Sequence, residues 1–169
     1  MSIVWRDKVL SSYNGNIESV LIVNDVEATG EALKEVEAPN GVFVKLGDLA
    51  GMGREVKLAE LGAEEDGEAL LVSSPEVLYH SGDELDDFVN EAGKVARAFR
   101  LAEGDVISLT ADLITGTPTG NIGQVFVVGE DGKLVADPEA KTGLRFLVRE
   151  DAGNELTRKA KAWRFDIVK

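Results

Sequence analysis

The chain has 169 residues, 44% of them hydrophobic, enough to bury a core and too many for disorder. Thirty-one acids against 18 bases give a formal charge of −13, which argues against nucleic acid and anionic membranes, since both encounters need Lys and Arg. No cysteine is present, so disulfides, thiolate catalysis and thiolate metal sites are excluded.

Residues 1–14, "MSIVWRDKVLSSYN", carry Ile3, Val4, Trp5, Val9 and Leu10 without clear strand punctuation. They read either as an apolar arm reaching a neighbour, with Trp5 as a candidate contact, or as an ordinary first strand or helix. They lack the basic start and long apolar run of a signal peptide, so export by the usual route is not expected. The longest apolar runs, "VLIV" and "VFVV", are far short of the roughly 20 residues that span a bilayer.

From residue 15 onward, short apolar runs alternate with Gly and Pro: "SVLIV", "VFVKL", "ALLVS", "VISLTADLI", "QVFVV", "LRFLV" and "AWRFDIV". Their lengths are those of strands, and the Gly and Pro between them mark turns. Period-two alternation supports strands at Val95, Arg97, Phe99 and Leu101, and at Trp163, Phe165 and Ile167. The fold class is mainly β, a small barrel or sandwich. "ATGEALKEVEA" holds helix formers close to Pro39. "SGDELDDFVNEAGK" predicts one short helix at about 83 to 92, capped by Ser81 or Asp83 and stopped by Gly93.

One sentence is written twice. Gly41–Gly47 reads "GVFVKLG" and Gly123–Gly129 reads "GQVFVVG". Each passes through a Gly-containing loop into a short strand, "REVKLA" and "KLVA". Asp131-Gly132 is a tight-turn signal. A phosphate loop would open a helix and place Lys with Ser or Thr in register, and neither copy does. The repeat reads as a strand-turn-strand unit used twice. It implies one β-rich domain over 15–169, built either as two lobes (15–80 and 94–169) or as two similar hairpins in one barrel.

Chemistry is sparse. His80 is the lone histidine, and no nucleophile-elbow motif surrounds Ser73, Ser74 or Ser81. "GDELDD" at 82–87 clusters carboxylates, but its spacing does not match a calcium loop. "GTPTGNIG" at 116–123 reads as a turn. No catalytic residue, cofactor or metal site is expected.

Charge is segregated. Between Leu58 and Gly93 lie eleven acids and no Lys or Arg; between Lys141 and Lys169 lie eight bases and four acids. The bland reading is a solvated surface. The sharper one is head-to-tail complementarity with a second copy or a partner, weakened by salt, in which Arg158, Lys159, Lys161 and Arg164 are candidate contacts.

"GNIESVLIVNDVEA", "NGVFVKLGDL", "REVKLAEL", "VSSPEVLY", "LDDFVNEAGKVARAFRLAEGDVISLT" and "GQVFVVGEDGKLVA" together resemble a family of small structural proteins of tailed phages and prophages of Gram-positive bacteria, often encoded beside the major capsid protein. The resemblance runs from about Asn14 to the C-terminus and rests on running pattern. Members often carry Pro where this chain has Val95, which implies strand after Gly93. It implies a non-enzymatic virion protein, a head decoration (cement) protein. The implied partners are the major capsid protein and further copies of itself, as a trimer or capsomer-centred ring. A tail or fibre module binding carbohydrate or cell wall is the alternative, although only 6% of the residues are aromatic.

Overall fold

A computed structural model describes residues 2–8, 16–51, 55–76, 88–116, 118–119, 121–156 and 160–169, with residues 5–8 described by their backbone alone. The chain is mainly β. In order, the strands are β1 (Val4–Lys8), β2 (Ile17–Val23), β3 (Phe43–Leu49), β4 (Val56–Leu61), β5 (Leu70–Val72) and β6 (Val95–Arg100). Then follow β7 (Val106–Thr110), β8 (Ile114–Thr115), β9 (Val125–Val128), β10 (Leu134–Ala136), β11 (Arg145–Gly153) and β12 (Ala162–Val168). Strands β2-β4-β3-β5-β6 close a barrel, and the rest form a sheet in the order β1-β7-β12-β11-β9-β10-β8.

The repeat extends far beyond its two hairpins. In the barrel, β2 pairs parallel with β4, and β4-β3, β3-β5, β5-β6 and β6-β2 pair antiparallel. In the sheet, β8 pairs parallel with β10, and β10-β9, β9-β11, β11-β12 and β12-β7 pair antiparallel. The registers agree as well. Val44 opposite Leu61 and Leu70 in the barrel becomes Phe126 opposite Ala136 and Phe146 in the sheet. Gly41 N–H donates to the Val72 carbonyl and Val72 N–H to that of Val42; Gly123 N–H donates to Val148 and Val148 N–H to Gln124. The second unit is therefore a topological copy of the first, with β7 and β8 together taking the place of β2.

The copy is also rolled. Only a 3₁₀ turn, Ala111–Leu113, joins β7 to β8, and four Cα steps reach at most about 14 Å. Five strand spacings in a flat sheet would part them by about 24 Å. The sheet must curl to bring its ends together. The inserted turn is put to use: Leu113, 1% exposed, packs against Gly41 of the first unit, where a Cβ would collide with its side chain.

One hydrophobic cluster runs through both units, from Val20, Ile22, Phe43 and Leu71 to Phe126, Phe146, Trp163 and Phe165. Alternation along β3 places Phe43 on the face opposite Val44. Phe43 meets Phe146 edge-to-face, with ring centroids 4.9 Å apart. The equivalent outward pair of the second unit, Val125 and Leu147, stays half-buried. A smaller cluster, Leu21, Val23, Val56 and Leu58, lies on the outside of the barrel under Val26 and Leu33 of the returning segment.

The structure corrects several expectations. The helix predicted at about 83 to 92 is not formed over 88–92: Asn90 bridges Ala38, and Gly93 turns at φ +78. Backbone pairing with a distant segment overrides the local helix signal. Residues 83–87, together with Ser81, His80 and the 82–87 carboxylates, lie outside the described residues. "ATGEALKEVEA" yields only a 3₁₀ turn, Gly30–Ala32. Val95 and Arg97 are exposed, and the inward face of β6 is Ala96 and Ala98. That strand closes the barrel, so the first unit runs through Arg100 and the second starts at Val106. Of the arm proposed over 1–14, Val4–Lys8 is the edge strand on β7, because Val4 supplies an apolar residue opposite buried Leu109.

This edge strand is pinned by polar contacts. Ile3 N–H donates to Thr110 Oγ1 at 3.0 Å, Thr110 Oγ1 donates to Asp112 Oδ1 at 2.7 Å, and Ser2 Oγ contacts Asp112 Oδ2. Burial pushes the Asp112 carboxyl up, but the hydrogen bonds from Ser2 and Thr110 outweigh it and hold the group below its ordinary 3.8. A depressed carboxylate stabilises the folded state above the ordinary value, and the contribution disappears as pH falls through the folded one. Asp112→Asn should therefore cost about 1 kcal/mol at pH 7, solvent screening included. The gap to wild type should narrow in urea titrations run below pH 4, and a gap unchanged by acid would refute the assignment.

Candidate functional site

Two of the sequence candidates, Trp5 and Arg164, fall in one backbone row of the second unit. By register Trp5 lies opposite Ser108, Ser108 opposite Arg164, and Arg164 opposite Glu150, a single row across β1, β7, β12 and β11. Residues 5 and 164 are thus brought within three strands of each other. Arg158 and Lys159 lie outside the described residues.

Among the described residues, Arg149, Lys161 and Arg164 are engaged within the chain. Arg164 donates from Nε to Ser108 Oγ at 3.2 Å, contacts Glu150 closely through Nη1 and reaches Glu155 at 3.8 Å. Lys161 Nζ lies 2.6 Å from Asp151 Oδ2 and 5.0 Å from the Trp163 ring centroid. The Lys161 hydrogen bond, aided by Gly153 N–H, holds the Asp151 carboxyl below its ordinary value. Arg149 pairs with Asp166 at 3.0 Å. All four acids of the basic segment, Glu150, Asp151, Glu155 and Asp166, therefore face its own bases. Lys169 Nζ reaches Glu68 at 2.9 Å, so acidic and basic segments meet inside one chain. Such exposed pairs are screened by solvent and contribute little one by one. They join β11 to β12 at the surface by opposite charges, in a field set by the net −13.

A second polar cluster, invisible in the sequence, lies in the first unit. Asn40 and Asn90 are 2% and 7% exposed. Asn40 Nδ2 donates to the Ser74 carbonyl at 2.9 Å and to Glu76 Oε1 at 3.3 Å, and Ser74 N–H returns to Asn40 Oδ1 at 2.9 Å. Asn90 Nδ2 donates to Asn40 Oδ1 at 3.2 Å and to the Ala38 carbonyl at 3.0 Å. The pair ties the chain leaving β5 to the chain entering β6. Asn40→Ala leaves the Ser74 amide and an Asn90 amide proton short of an acceptor in a dry site. The expected cost is about 2–3 kcal/mol, read by chemical denaturation. A loss within experimental error of zero would show that water replaces the side chain.

The other buried polar residues also hold backbone. Asp105 Oδ2 accepts Ala102 N–H at 2.8 Å and Thr110 accepts Ile3. Among the described residues no group of three or more metal-ligating side chains comes together, and no helix is long and apolar enough to cross a membrane. The large exposed apolar residues among them are Leu49, Val89, Val95 and Ile122, the last 80% exposed beside β9. Comparison of the chain with protein-family models, curated proteins and solved structures finds no match.

Proposed function

We propose that the chain is a non-enzymatic virion structural protein, a decoration protein bound to the outer surface of a phage head shell. The observation that carries this reading is the running resemblance from about Asn14 to the C-terminus. The way the molecule spends its buried polar groups supports it. Asn40, Asn90, Asp105, Ser108 and Thr110 each position backbone or an ion pair, as befits a body built for rigidity. Its partners are the major capsid protein and further copies of itself, and its place is the virion. The net −13 favours a partner face rich in Lys and Arg, because charge complementarity sets orientation and encounter rate.

Quantitative peptide mass spectrometry of purified virions that encode this chain, scaled to the major capsid protein, tests the reading. A simple lattice ratio to the capsid subunit is expected. A handful of copies per particle would move the protein to the tail or fibre and favour a carbohydrate- or wall-binding module. Absence from particles would overturn both.

A further inference from the structure

The two units share every ladder but differ at one flank. In the first unit, β4 covers β2 along Ser19–Leu21, with Val56, Lys57 and Leu58 as partners. The equivalent flank of the second unit is Ser108–Thr110. The hairpin that should cover it is too short: β9 and β10 are Val125–Val128 and Leu134–Ala136, against Phe43–Leu49 and Val56–Leu61 in the first copy. The residues that would lie beside Ser108–Thr110 are instead the Asp131-Gly132 turn. A slot is left open along β7, a strand whose residues are all at most 5% exposed.

The slot is filled from the far end of the chain. Val4 pairs with Leu109 and Trp5 with Ser108, antiparallel, where the first unit has a parallel partner. The filler is short and bulged between Arg6 and Lys8. It contacts the sheet on one side only, and its anchor is the Ser2–Ile3–Thr110–Asp112 cluster. It is joined to β2 through residues 9–15, a link of seven residues. A short edge strand that completes a unit it does not belong to is the arrangement from which copies exchange elements.

We infer that β1 is an exchangeable complementing strand, and that the slot along β7 of one copy takes Ser2–Lys8 of a second copy. The occupant follows from the slot itself. Register, the Val4–Leu109 match and the Ser2 and Ile3 anchors are written for this sequence, so another copy of the chain carries the matching strand by construction. Closure within one chain and closure between two make the same contacts, and concentration against the reach of a seven-residue link chooses between them. The inference stands on the internal duplication and does not need the virion reading.

The chain has no cysteine, so introduced pairs report unambiguously. A chain carrying Ser2→Cys is mixed at high concentration with a heavier, tagged chain carrying Asp112→Cys, incubated, oxidised and run without reductant. Exchange predicts a mixed disulfide that grows with incubation time and concentration and exceeds the background of either chain alone. The double variant, kept dilute, provides the closed single-chain reference. If that reference closes fully while the mixture stays at background after prolonged incubation, the proposal is overturned. A second measurement uses the unaltered sequence. Sedimentation of the chain over a rising concentration series, after prolonged incubation, reads its assembly state. A dimer that grows with concentration supports exchange, and a chain that stays monomeric throughout overturns it.

Discussion

Truncating Phe146 to Ala should cost about 3–5 kcal/mol and lower the melting temperature of this 169-residue chain by about 6–15 °C. Phe146 and Phe43 are both 0% exposed, and each belongs to a different unit. Removing either ring opens a cavity between units that share one continuous core, so the loss falls on both. Thermal unfolding should stay a single transition in wild type and in both variants. The double variant should cost less than the two single changes added, with a coupling of about 0.5–1.5 kcal/mol for the edge-to-face pair. Two separated transitions in Phe146→Ala, with the first unit melting at its wild-type temperature, would show that the units fold independently.

Gly132→Ala should cost about 3 kcal/mol or more, although it adds one methyl group. Gly132 has φ +72, a conformation that opposes a side chain. Its Cβ would also lie 2.5 Å from the Phe43 carbonyl oxygen. That approach is part of the junction: Phe43 N–H donates to the Gly132 carbonyl at 2.8 Å, while its own carbonyl accepts Gly62 N–H at 3.0 Å. The turn of the second hairpin thus docks on the first strand of the first hairpin, and backbone on both sides cannot give way. Gly116→Ala is the control. Its φ is +86 with nothing within 4 Å, so it pays only the conformational term, about 1 kcal/mol. Equal losses at the two positions would mean that close approach contributes nothing.

The same glycines show how much of the fold the sequence carries. Asp131-Gly132 announces a tight turn from two residues, and a turn forms there. What the turn touches depends on a segment some ninety positions away, which no local pattern reports. The strands follow the same division. The runs "VFVKL", "QVFVV" and "AWRFDIV" are strands because alternating β-branched and aromatic residues suit a half-buried pleat whatever their partners. Val95–Arg100 was legible as a strand, but its inward face is Ala96 and Ala98, since space inside a five-stranded barrel favours the small residues. The helix expected near Gly93 failed over 88–92 for a related reason: Asn90 is worth more as a buried bridge to Ala38 than as a helix residue.

The contact surface was only half legible. Segregated charge pointed to Lys161 and Arg164, yet composition cannot say that Glu150, Asp151, Glu155 and Asp166 answer the bases across a strand pair. Asn40, Asn90 and Asp112 gave no signal, because a buried polar group is defined by what surrounds it.

By itself, the sequence determined that this protein is a Cys-free, acidic, β-rich chain and that one strand-turn-strand phrase occurs twice, because strand periodicity and turn chemistry are local properties. Only the tertiary structure decided that the phrase belongs to two whole units with the same ladders, that the second lacks a strand's worth of hairpin, and that the N-terminal segment fills the gap. Pairing is a choice among distant partners, made by burial and register across the chain, and short-range patterns do not contain it.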